Sequence, residues 1–80
     1  MTKPEPCPEC DELLKAARVA TEKHIAAVGR MQIATIRREG TIVEALSVVV
    51  REARGERDRA TAAYRHHVDL HRAASSGMSA

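Results

Sequence analysis

Aromatic residues are almost missing from this 80-residue chain: it has no Trp, no Phe and a single Tyr, Tyr64. Any core must therefore be built from Ala, Val, Ile, Leu and Met, which offer many small contacts and few large anchors. Eighty residues allow one domain, and a chain this short buries too little surface to be more than marginally stable alone. Small domains recover the difference with disulfides, a structural metal or oligomerisation. No apolar run approaches the roughly 20 residues that span a bilayer. The opening Met1-Thr2-Lys3-Pro4-Glu5-Pro6 lacks the apolar centre of a signal peptide, so the expected compartment is the cytoplasm and no membrane role is expected.

A bias of charge is lacking too. The 13 basic and 11 acidic side chains give a net +2, and both halves of the chain carry nearly equal shares. The stretch Arg51 to Arg59 interleaves four Arg with Glu52, Glu56 and Asp58, the pattern of a solvated helix face with internal pairs. Nucleic-acid binders concentrate Lys and Arg on one face, often with stacking aromatics. Here only Arg30, Arg37 and Arg38 near the centre of the chain point that way, so a nucleic-acid-associated regulator is a minor reading.

What is present is helical periodicity. Residues 1–7 are Pro-rich and read as extended. Pro8 suits a first helical position, where its missing N–H costs nothing, and Glu9, Asp11 and Glu12 complement the positive helix end. Leu13, Ala17, Ala20, His24, Ala27, Met31 and Ala34 then recur at spacings of three and four, which predicts a helix over about 8–38. Gly40 after Arg37-Arg38-Glu39 reads as a stop, and Thr41 with Glu44 as a capping box, placing a turn at 39–41. A second stripe of Val43, Leu46, Val50, Ala53, Arg57, Ala60, Tyr64, His67 and His71 predicts a helix over about 42–74, followed by a disordered tail at 75–80. The β-branched run from Thr41 to Val50 also suits a strand by propensity, but no second strand-like segment exists to pair with it. The expected fold is all-α: an antiparallel two-helix hairpin that dimerises into a four-helix bundle.

Both helices carry more aliphatic surface than one seam can bury. Ile25, Ile33 and Ile36 fall off the first stripe, Ile42 and Val49 widen the second, and Val48 adds to them. A hairpin buries one face of each helix, so Ile25, Ile33, Ile36, Ile42 and Val49 are expected to form a partner interface, most simply with a second copy.

The only two cysteines, Cys7 and Cys10, are spaced C-x-x-C, and His67 and His71 lie one turn apart on a helix. In a reducing compartment such a cysteine pair points to metal or redox chemistry more than to a structural disulfide. Cys7-Pro8-Glu9-Cys10 resembles the knuckles of zinc-ribbon proteins over those four residues. The 56 residues between Cys10 and His67 far exceed a finger of the Cys2His2 type. Height along the hairpin closes the gap: Cys10 lies 30 residues before Gly40, and His67 and His71 lie 27 and 31 after it. At 1.5 Å per residue both pairs stand roughly 40–47 Å from the turn, on adjacent helices about 8–10 Å apart. Two thiolates and two imidazoles complete a tetrahedral zinc shell, and a full shell leaves no place for water or substrate, so the zinc is expected to be structural. His66 neighbours the stripe and is the alternative to His67.

Other readings use the same residues. Cys7 and Cys10 at a helix start suit a thiol redox protein, although C-x-x-C oxidoreductases set the motif after a strand. The histidines alone satisfy the dipole and last carbonyls of a helix C-terminus. His24, mid-stripe, is level with Glu56 and Arg57; it is expected to pair with Glu56 while Arg57 snorkels outward. No grouping of residues suggests a catalytic site. The chain reads as a non-enzymatic helical-hairpin binding or scaffold module.

Overall fold

The computed structural model describes residues 7–78. The chain folds as two α-helices, α1 over Pro8–Ile36 and α2 over Gly40–Met78, packed against each other as a hairpin. Thr41 to Val50 is helical, and no strand occurs among the described residues. Apolar period decides here over β-propensity, because a lone strand would leave its backbone groups unpaired.

Cys7 caps α1. Its backbone is extended (φ −96°, ψ 109°), its carbonyl accepts the first helical bond from the Asp11 N–H at 3.2 Å, and its Sγ accepts from the Cys10 N–H at 3.4 Å. Pro8 follows at the first helical position, as its fixed φ favours.

The turn differs from expectation. The Arg38 N–H donates to the Thr35 carbonyl at 3.1 Å and the Glu39 N–H to the Ala34 carbonyl at 3.0 Å, the bond pair of a Schellman ending. That ending needs a left-handed residue, and Arg38 takes it (φ 58°); Gly40, the expected stop, begins α2 instead. The Glu39 carbonyl accepts from the Val43 N–H at 2.9 Å, so Glu39 holds the cap position and Thr41 falls inside the first turn, without the expected box. Helix α1 thus ends two residues earlier than expected. Helix α2 starts two residues earlier and continues through Met78, where a tail was expected. Segment 1–6 and residues 79–80 lie outside the described residues.

The seam follows both stripes. Among the described residues only Ala20, Ala27, Ala34 and Ala53 are buried. Leu13, Met31, Leu46, Val50, Ala60 and Tyr64 are half-buried. Small side chains let the helices approach closely but remove little apolar area from water. The shape records the shortfall: the radius of gyration is 18.4 Å and the long extent 60 Å, against about 12 Å expected for a compact chain of this length.

Two substitutions test this account of the backbone. A Cβ at Gly29 meets nothing within 4 Å, so Gly29→Ala should stabilise the helix by about 1 kcal/mol. Arg38→Gly relieves the left-handed residue and should add a similar amount. Each should raise the melting temperature by roughly 4–8 °C in thermal unfolding followed by circular dichroism. A drop with Arg38→Gly would contradict the turn described here.

Candidate metal centre

Helix α1 brings Cys7 and Cys10 to the open end of the hairpin, and α2 brings His67 and His71 to the same height. One ligand atom from each of the four lies within 4.8 Å of all the others. Tetrahedral zinc, with bonds of about 2.3 Å to sulfur and 2.0–2.1 Å to nitrogen, needs its donors about 3.3–3.8 Å apart. Two separations are slightly shorter: Cys7 Sγ to His67 Nε2 is 3.2 Å, and His67 Nε2 to His71 Nε2 is 3.1 Å. The two rings stand nearly perpendicular, at 78° and 4.7 Å between centroids, so both Nε2 atoms converge without the rings stacking.

The chemistry of that convergence fits a cation. A ring nitrogen presents either one proton or one lone pair. His67 Nε2 faces both a thiol sulfur and a second imidazole nitrogen, and cannot serve the two equally well. An ion at the centre accepts a lone pair from all four atoms at once. On its outer side His67 Nδ1 lies 3.7 Å from Glu9 Oε2, placing a carboxylate where zinc-binding histidines commonly find one that orients the ring. Glu9 first read only as a complement to the helix dipole. Nothing in its sequence position tied it to a histidine 58 residues away.

The two thiols are unlike. Cys7 is drawn down from 9.0 to about 6, first by its hydrogen bond with His67 and then by the Cys10 backbone N–H. Cys10 is pushed up, first by desolvation and then by the neighbouring Cys7. Both are free rather than bridged.

Packing thins toward this end. The buried seam stops at Ala20, about 15 Å short of Cys10 along the helix, and between them Leu13 and Ala17 are half-buried and Leu14 is exposed.

The other candidates fall elsewhere. His66 is exposed and lines a polar groove with Arg57, Arg65 and Asp69, outside the four-residue cluster. His24 does not pair with Glu56 as expected. Its Nδ1 accepts from Arg57 Nη1 at 3.3 Å, while Arg57 Nη2 holds Asp58 Oδ1 at 2.9 Å and keeps that carboxyl below its ordinary value. The Arg57 guanidinium thus reaches across to α1 while also holding its exposed neighbour Asp58. The five aliphatics expected at an interface are all exposed, but they do not form one patch. At 100° per residue, Ile25 and Ile36 point away from the buried alanines, with Ile33 roughly 80° round the helix from Ile25. Ile42 and Val49 lie on the seam side of α2, beside Ala53. Sequence spacing alone groups the five because it does not place the two helices' flanks relative to each other.

Known protein families, curated proteins and solved structures offer no match to this chain.

The thiol asymmetry is measurable. In the metal-free protein, ultraviolet thiolate absorbance should rise in two steps, one near pH 6 from Cys7 and one above 9.0 from Cys10. Because the Cys7 value is depressed by folding, its contribution to stability is present above pH 9.0 and is lost as pH falls to about 6. Cys10→Ser should remove the upper step only, and His67→Ala should move the lower step upward. Two thiols ionising together near pH 9.0 would contradict the arrangement.

Proposed function

We propose that this chain is a non-enzymatic helical-hairpin module whose open end is closed by one structural zinc ion on Cys7, Cys10, His67 and His71, and which assembles through its exposed aliphatic surface. The observation that carries the zinc reading is the meeting of four soft and borderline donors, from two sequence-distant pairs, at one point of the hairpin. Two sulfurs and two nitrogens are the ligand set and number of a closed structural zinc site. The ion's role follows from the thin packing nearby. Metal bound only by the folded hairpin adds its binding free energy to folding, and it does so where side-chain burial contributes least.

The thiol redox reading draws on the lowered Cys7 value, since a thiolate is the reactive form. It gives His71 only a minor share in lowering Cys7, behind His67 and the Cys10 backbone N–H. The two readings separate on metal content and on disulfide cycling.

Purified protein should contain one zinc per chain by elemental analysis. Zinc at a thousandfold its dissociation constant adds about 4 kcal/mol, on the order of 20 °C in melting temperature for a chain this size. Chelator should remove that increment, and hydrogen exchange should then rise first around Cys10 and His67, while the turn end keeps its protection. Cys10→Ser and His71→Ala should behave like the stripped protein; His66→Ala and His24→Ala should retain zinc. Acid should weaken binding, because protons compete for all four ligands. A metal-free protein whose melting temperature ignores chelator, and whose cysteines form a reversible disulfide, would replace zinc with redox chemistry.

A further inference from the structure

One face of the hairpin carries an open groove. The groove runs between the helices over an alanine floor of Ala16, Ala20, Ala26, Ala27, Ala53 and Ala60, with Val19 and Val49 projecting from its sides. The two valines are 45% and 47% exposed. Toward the open end α1 adds Lys15 and Glu12 to the rim. At the middle of the groove the rims are charged in opposite senses: α1 contributes Lys23 and Arg30, and α2 contributes Glu52 and Glu56. Only two ion pairs occur among the described residues, Arg57–Asp58 and His67–Glu9, so none of these four charges is paired within the chain.

We infer that this face is the homodimer interface, with the two-fold axis parallel to the helices, so that α1 of each copy lies on α2 of the other. Charge selects that axis. A two-fold across the helices would stack α1 on α1 and α2 on α2, setting Lys23 and Arg30 against the same cations and Glu52 and Glu56 against the same anions. A two-fold along the helices preserves height. Lys23 and Glu56 already stand level across the groove, so Lys23 then faces Glu56 of the second copy, and Arg30 reaches Glu52 within one turn. Both turns lie at one end of the resulting four-helix bundle and both Cys2His2 clusters at the other. Alanines on the floor let the helices of the two copies approach closely. The face extends over Glu12 to Arg30 on a molecule 19 Å across, an area on the order of 500 Å² per copy, somewhat below the ~600 Å² per partner of the smallest standard interfaces. Ile25 and Ile36, which face away from the seam, take no part.

This inference rests on the self-association proposed above and not on the metal. Its test is sedimentation of the zinc-loaded protein and of two charge-reversed variants, Lys23→Glu with Arg30→Glu and Glu52→Lys with Glu56→Lys, with circular dichroism to check that each is helical. Wild type should be a dimer. Each variant alone should weaken dimerisation by about tenfold or more, since like charges then meet across the axis. Mixed one to one, the two variants should form dimers again, because acidic α1 then meets basic α2 and acidic α2 meets basic α1. Pairs confined to one chain could not give that rescue. If a reversal unfolds the chain, Lys23→Gln with Arg30→Gln should weaken dimerisation while keeping the helices. A wild-type monomer at all concentrations removes self-association altogether. A wild-type dimer indifferent to both reversals, or a mixture that stays monomeric, keeps self-association and overturns this interface.

Discussion

The constraint behind everything else is that two helices touching along one seam of alanines cannot remove enough apolar surface from water to hold themselves together. Four alanines, 4–8% exposed, are the only buried side chains among the described residues. Each contributes little burial, because a methyl group is all it has to lose from solvent. Larger residues on the seam, Leu13, Leu46 and Tyr64, stay half in water, since a hairpin has no third element to cover them. Two features outside this seam could add stability, at different places. The converging cysteines and histidines sit where the seam runs out, and the alanine groove with its oppositely charged rims lies along the middle of one face.

The two devices act on different degrees of freedom. A metal held between the start of α1 and the last third of α2 would add its binding free energy to the folded state and resist fraying locally. A second copy would cover the exposed Val19 and Val49 along the groove. The turn supplies little to either. Its Schellman bonds satisfy the last carbonyls of α1, but at the expense of a left-handed arginine.

Much of this was legible in the sequence, for identifiable reasons. The stripe from Leu13 to Ala34 and the stripe from Val43 to Tyr64 are the residues that turn inward, because apolar period survives even when the apolar residues are small. The cysteine–histidine cluster was legible through height: equal distances from the turn predict that Cys10 meets His67 once the hairpin is antiparallel. The turn itself was not. Glycine is the usual left-handed residue, and nothing in Arg37-Arg38-Glu39-Gly40 says that the chain bends two residues early. The His24–Arg57 contact was hidden as well, since residue spacing does not say which way a long arginine side chain turns. Glu9 beside His67 and the split of the five aliphatics between flanks both require knowing how one helix is rotated against the other.

X-ray absorption at the zinc edge should show a first shell of two sulfurs at about 2.3 Å and two imidazole nitrogens at about 2.0–2.1 Å, with no oxygen. A zinc-loaded protein whose shell lacks sulfur, or holds only one histidine with water completing it, would contradict a four-ligand site made by both ends of the chain.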